Sequence, residues 1–253
     1  MKYFTQISND NIVSCSFDNT IKIFKLTSDT EYQTLQILSG HSSMVDKVIE
    51  DNQKNLISCS DVHTIKIWNY NQNNQNYNLS KTININDSGC YYNILFIKEN
   101  EIVSSSYNAN YLKFWNINNL TLITNRSLEC GWTPNCMLKY NDNILLVGNY
   151  ISTIGIYIVD IQNYSIIKQI EGFQDANTII KFNNDNLVLV GGQYNGKGYA
   201  IILYEFDANN NSLILKKEKT QIHSSYVKNI VKLDNIIISC SSDSYIKFWN
   251  IPK

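Results

Sequence analysis

Asn55–Tyr70 reads NLISCSDVHTIKIWNY, and the same sentence is written three more times with small changes. Asn11–Leu26 reads NIVSCSFDNTIKIFKL, Glu101–Ile117 reads EIVSSSYNANYLKFWNI, and Asn235–Ile251 reads NIIISCSSDSYIKFWNI. Two worn copies lie before the last of these, Asn143–Ile161 (NILLVGNYISTIGIYIVDI) and Asn186–Phe206 (NLVLVGGQYNGKGYAIILYEF). An aromatic closes each copy at Phe24, Trp68, Trp115, Tyr157, Tyr204 and Trp249, with gaps of 44, 47, 42, 47 and 45 residues. Inside TIKIW, Ile65 and Ile67 share one face of a strand while Lys66 and Trp68 share the other. TIKIF, YLKFW and YIKFW repeat that alternation.

A period of about 40–45 residues with four strands per unit specifies a β-propeller rather than a helical solenoid. The second copy can be followed strand by strand. Met44–Glu50 is an inner strand, a turn at Asp51–Lys54 leads into Asn55–Ser60, and a tight Asp61–Val62–His63 turn feeds Thr64–Tyr70. Beyond the Asn-rich loop Asn69–Asn78, the strand Tyr77–Ile85 forms the outer edge. One such sheet has two apolar faces and is unstable alone, whereas radial stacking buries each face against a neighbour. The expected fold is all-β, a propeller of about six four-stranded antiparallel blades. One domain spans residues 1–253, with blades near 1–39, 40–86, 87–128, 129–171, 172–221 and 222–253. MKYFTQI aligns with Tyr226–Leu233, which makes it the first blade's inner strand. The last blade is then expected to lack its outer strand. Either it stands with three strands, or the sequence is an excerpt of a longer protein, in which a seventh blade would need about 40 further residues.

Composition narrows the function. At 253 residues the chain has the size of one large β domain, and its apolar content of 43% is ordinary. Net charge is −1 with no long run of one sign, so the basic face that nucleic-acid binding needs is missing. The chain contains no apolar run of membrane-spanning length, and MKYFTQISND lacks a signal peptide's apolar core. An intracellular, cytoplasmic protein is expected, with the nucleus as the alternative. Cys15, Cys59 and Cys240 occupy one slot of three repeats, and Cys90, Cys130 and Cys136 show no zinc spacing. All six read as free thiols packed as small hydrophobes. No metal or cofactor is implied.

These repeats resemble the WD-repeat family, whose pattern runs from Gly-His through Ser-x-Ser-x-Asp to Trp-Asp. Gly40–His41 and His223 stand at the right distance before two inner strands. The resemblance implies a buried structural network of His223, Ser239, Asp243 and Trp249 in the last blade, and of His41, Ser58 and Trp68 in the second. In the second blade Val62 stands in the Asp slot, with Asp61 displaced by one. Trp–Asn replaces Trp–Asp at Trp68–Asn69, Trp115–Asn116 and Trp249–Asn250. The third blade has Asp87 and Asn108 in the His and Asp slots, and the fourth has Glu129 and Ile151. The fifth has Phe173 and a lengthened turn at Gly191–Gly198.

The resemblance implies a non-catalytic scaffold or adaptor that binds a protein or peptide through one face of the propeller. By repeat alignment that face collects Phe17, Asp61, Tyr107, Tyr150 and Tyr194 from turns. Inner-strand starts add Met44, Asp46, Tyr92, Trp132, Tyr226 and Lys228. Aromatics in such slots match the composition of interface hot spots. A propeller excerpted from a ubiquitin-ligase receptor, a kinase-associated protein or a coat subunit is the second reading. Self-association through the incomplete last blade is a further expectation. An enzyme is disfavoured, because the histidines at 41 and 223 belong to the network, His63 stands alone in a turn, and no motif pairs acidic residues.

Overall fold

The computed structural model describes residues 2–84, 90–107, 111–119, 121–123, 128–129, 133–150, 154–182, 186–233 and 236–250. The side chains of residues 90–92, 107 and 129 fall outside that description. The chain divides into two compact units, Met1–Ser127 and Leu128–Lys253.

In the first unit, strands Tyr3–Gln6, Ile12–Cys15, Thr20–Leu26 and Tyr32–Ser39 form one antiparallel sheet in sequence order. Val45–Glu50, Leu56–Ser60, Thr64–Asn71 and Asn76–Asn84 form the next. A third joins Cys90–Lys98, Glu101–Tyr107, Tyr111–Asn116 and Thr121–Leu122. The second unit repeats the plan with Pro134–Lys139, Ile144–Asn149, Ile154–Asp160 and Ser165–Glu171. It continues with Phe173–Phe182, Leu187–Tyr194, Tyr199–Asp207 and Ser212–His223. Its last sheet has three strands among the described residues, Val227–Leu233, Ile236–Ser241 and Ile246–Asn250.

The alternation in the sequence decides which residues meet. Ile57, Cys59, Ile65 and Ile67 leave the second sheet on one side and pack against Ile94, Ile102 and Trp115 of the third. Leu56 and Trp68 leave on the other side and meet Val13, Ile21 and Ile23 of the first. The fourth and fifth sheets join through Leu146, Ile156 and Ile158 against Ile179, Val188 and Tyr204. The fifth and sixth join through Leu189 and Ile201 against Val227, Ile230 and Ile237. Burial of such aliphatic side chains contributes about 1.5–3 kcal/mol each.

Tight turns feed the third strands of the first, second and sixth sheets, and they need one left-handed residue. Asn19, His63 and Ser244 take φ of 67°, 55° and 68° at equivalent places in three repeats. His63 is thereby explained as a turn residue. The strand register also moves one landmark. Trp68 pairs with Leu56 and Tyr204 with Val188, but in the fourth sheet Val159, not Tyr157, pairs with Leu145. Tyr157 therefore stands two residues ahead of the closing position, and the steps from Trp115 to Val159 and on to Tyr204 are 44 and 45 residues. The repeat is more regular than the aromatics alone suggest.

Candidate functional site

Two kinds of site were expected, a buried polar network and an exposed aromatic surface. The sixth sheet carries the fullest network. His223 Nε2 lies 2.9 Å from Ser239 Oγ, and its Nδ1 lies 2.9 Å from Asp243 Oδ2. Trp249 Nε1 donates to the same Ser239 Oγ at 2.9 Å. Because the serine oxygen accepts from the indole, its own hydrogen goes to Nε2, which leaves the ring proton on Nδ1 to face Asp243. Burial pushes the Asp243 carboxyl up, but the Ser224 and Tyr245 amides and the His223 ring together hold it well below the usual carboxylate range.

The second sheet builds the same device from different parts. His41 Nε2 lies 2.7 Å from Ser58 Oγ, Trp68 Nε1 donates to Ser58 Oγ at 2.9 Å, and Thr64 Oγ1 lies 3.1 Å from His41 Nδ1. Thr64 fills the place that Val62 left without a polar group. Sequence alignment misses it because Thr64 opens the following strand rather than closing the turn. In the third sheet Trp115 Nε1 donates to Ser104 Oγ at 2.8 Å. Asp87, Asn108 and Ile151 lie outside the described residues, as does the side chain of Glu129.

Burial, with the nearby Lys66 ammonium, lowers the His41 pKa to about 4 from its ordinary 6.5. The folded protein thus holds this ring neutral. A histidine depressed in the folded state gives stability that is complete above its unfolded pKa and lost as pH falls toward the folded one. Asp243, also depressed, contributes in the same direction at lower pH. The melting temperature is therefore expected to fall as pH drops from 6.5 toward 4, and an NMR titration should place the His41 midpoint near 4. A ring that titrates near 6.5 would show that it is not buried against Ser58.

The candidate surface residues separate into two groups. In the first unit Phe17 is 60% exposed, and Lys2 Nζ sits 4.7 Å above its ring. Lys2 also reaches Asp46 Oδ1 at 3.0 Å. Asp46 is buried, and its second carboxylate oxygen has no hydrogen-bond partner among the described residues. Burial raises its pKa; Lys2 opposes the rise and the neighbouring Asp61 carboxyl adds to it. Met44 and Asp61 are half-buried beside it.

In the second unit the Tyr226 ring lies between two others, 6.3 Å from Tyr150 and 5.3 Å from Tyr199. Lys228 Nζ stands 5.5 Å from the Tyr226 centroid. These residues come from the fourth, fifth and sixth sheets, and Tyr199 was not singled out by the repeat alignment. The expectation for Tyr194 is corrected: it is 7% exposed and packs 4.9 Å from Phe173, so it belongs to the core. Trp132 lies outside the described residues, as do the side chains of Tyr92 and Tyr107. Cys15, Cys59 and Cys136 are free and buried, and Cys240 is free and half-buried. Burial pushes Cys15 up to about 12 and Cys59 well above the ordinary thiol value, which removes thiolate chemistry at both.

The family model for WD40, described as WD domain, G-beta repeat, matches residues 32–69. That span holds His41, Ser58 and Trp68, three members of the network, and the chain has the fold of solved WD40 propellers. The chain carries one matched WD40 repeat at residues 32–69 and the fold of WD40 propellers. Its fold is the all-β propeller of six blades, the last with three strands among the described residues. The WD40 β-propeller domain of Doa1 superposes with a TM-score of 0.75 at 17% identity, covering 99% of this chain and 78% of that one. A chain of the mitotic checkpoint complex gives 0.79 at 12% identity, covering 99% and 76%. The computationally designed Ika8 protein gives 0.70 at 21%, covering 99% and 70%. A curated relative is the probable cytosolic iron–sulfur protein assembly protein 1 of Pyricularia oryzae, 35% identical over 80 residues. That match spans 29% of this chain and 18% of the relative. WD40 propellers typically serve as protein-interaction scaffolds. Among the described residues no helix is long and apolar enough to cross a membrane.

Proposed function

We propose that this protein is a non-catalytic scaffold that binds a protein or peptide through the tyrosine cluster of its second unit. The observation that carries the reading is the half-buried Tyr226 ring, held between Tyr150 and Tyr199 with Lys228 at its edge. Three half-buried aromatic rings contributed by three different sheets and their turns are brought together there. Tyrosines of this kind supply contact area at low entropic cost and dominate interface hot spots. Phe17, Met44, Asp46 and Asp61 form a second candidate surface in the first unit, where the chain's own Lys2 already bridges the exposed ring and the buried Asp46. The relative from Pyricularia oryzae is named as cytosolic, and that compartment is extended to this chain as part of the proposal.

The test is affinity capture with mass spectrometry, using the chain as bait beside its variants. Tyr226→Ala and Tyr150→Ala should each weaken capture of a true partner by about 2 kcal/mol or more. Tyr150→Ala should leave the melting temperature nearly unchanged. Retention of every partner by both variants, with loss in Phe17→Ala, would move the site to the first unit. Retention by all three would overturn the assignment.

A further inference from the structure

We propose that the bulged inner strands of the fifth and sixth sheets form a receptor for a carboxylate, built on Asn177 and Lys228, and that it takes an acidic side chain of the protein or peptide bound at the tyrosine cluster. This deepens the proposed function and rests on the reading of Tyr150, Tyr199 and Tyr226 as the binding surface. It adds the charge of the partner, which the aromatic rings by themselves leave open.

The bulge is a repeated feature of the inner strands. Where each pairs with the second strand of its sheet, one residue is skipped: Asp46 in the second sheet, Asn135 in the fourth, Asn177 in the fifth and Lys228 in the sixth. A skipped residue makes no ladder pair, and the bulge re-aims its side chain. In the second unit the three re-aimed groups are two amides and an ammonium. Asn135 Nδ2 donates to Asn177 Oδ1 at 2.6 Å. The oxygen and nitrogen of an amide lie on either side of Cγ, so this bond turns Asn177 Nδ2 away from the fourth sheet and toward the sixth. That nitrogen is buried and has no hydrogen-bond partner among the described residues.

The sixth sheet meets it there. Thr178 Oγ1 lies 3.3 Å from Asn229 Oδ1, which also accepts from Ile230 N at 2.9 Å. Asn177 and Lys228 each stand one residue before that contact, so the orphaned amide and the lysine flank one joint. Lys228 is exposed and enters no ion pair among the described residues. Its Nζ stands at the Tyr226 ring, which ties the joint to the tyrosine cluster. Asp175, 4% exposed, is the negative group near Tyr199. Burial raises the Tyr199 phenol, with Tyr226 and Asp175 adding to the rise, so that wall stays protonated and uncharged. A cation would be repelled by Lys228 and would find the amide oxygens spent, Asn177 Oδ1 on Asn135 and Asn229 Oδ1 on Thr178 and Ile230. What the joint offers is donors. An interior amide N–H left unpaired is costly, and the two oxygens of one carboxylate satisfy it and the ammonium together.

The probes are fluorescein-labelled hexaglutamate and its neutral isostere hexaglutamine, read by anisotropy against the intact chain. Hexaglutamate should bind saturably, and hexaglutamine about tenfold more weakly or not at all. Lys228→Met and Asn177→Ala should each weaken hexaglutamate about tenfold. Lys228 is exposed, so its variant should fold as the wild type does. Asn177→Ala gives up the bond from Asn135, so the site is also read without substitution: the Asn177 side-chain amide resonance of the wild type should shift on titration. Lys217→Met with Lys219→Met, two exposed lysines of the fifth sheet's fourth strand, should change nothing. Hexaglutamate binding that survives Lys228→Met, that follows the lysines at 217 and 219, or that leaves the Asn177 resonance unmoved would overturn the proposal. Equal binding of the neutral peptide would do the same. Partner capture separates this inference from the reading beneath it. Capture that is lost in Tyr226→Ala but indifferent to Lys228→Met and to excess hexaglutamate keeps the tyrosine surface and removes the carboxylate site. Capture that survives Tyr226→Ala and Tyr150→Ala removes the tyrosine surface, and with it the acidic side chain of a partner bound there.

Discussion

Ser58→Ala is expected to destabilise the first unit by about 2–4 kcal/mol, since two buried polar groups lose their partner at once and each costs about 1–3 kcal/mol. Ser58 Oγ is the bridge between the His41 imidazole and the Trp68 indole, and the serine is wholly buried. His41 and Trp68 are only 7% and 2% exposed, so water does not reach them readily once the hydroxyl is gone. Removal of one hydroxyl leaves a cavity too small to admit a bridging water easily. Ser239→Ala is the informative comparison. It deletes the same bridge in the sixth blade, but Trp249 is half-buried there and His223 keeps Asp243. The loss at 239 should therefore be smaller. Urea denaturation of both variants decides the matter: a larger loss at 239 than at 58 would mean that burial is not what makes the network costly to break.

Gly192→Ala is expected to cost about 3 kcal/mol or more, at or above the upper end of what overpacking usually costs. A Cβ at this position would overlap the Asp175 carbonyl oxygen and come within 3.1 Å of Ala176 Cα. Both obstacles are backbone, and Gly192 pairs with Ala176 between two register irregularities of the neighbouring strand. Neither atom can step aside as the end of a flexible side chain could. Gly196→Ala separates space from conformation. A methyl there meets nothing within 4 Å, and only the φ of 67° is unfavourable, so the expected cost is about 1 kcal/mol. Equal losses at 192 and 196 would show that the close approach at Gly192 does not exist in solution.

The last blade shows how neighbours, rather than residues, decide burial. Ile246 and Phe248 are 64% and 67% exposed, although their counterparts Ile65 and Ile67 are 0% and 6% exposed. At the other end, Phe4 is 60% exposed while Val48 and Ile94, paired at the same register position, are fully buried. The side chains are equally apolar in every case. Residue type therefore does not set the exposure.

Local pattern was enough to reveal the repeat, the strands and their alternation, because a period of two residues within a strand is a property of the chain itself. The last blade's quartet of His223, Ser239, Asp243 and Trp249 was legible for the same reason, as it sits at fixed spacing within one repeat. The second blade's Thr64 was not, because a hydroxyl one turn away becomes a partner only when the loop geometry carries it to His41. Val159 takes the closing position in the fourth blade through strand register, which the conspicuous Tyr157 conceals. The tyrosine cluster and the site at Asn177 and Lys228 bring together residues from different sheets, up to 76 positions apart for Tyr150 and Tyr226. Sequence alone determined that this chain is a stack of one repeated β-sheet. Only the tertiary structure decided which faces are covered, since burial is set by what packs across the joint and not by the residue that waits there.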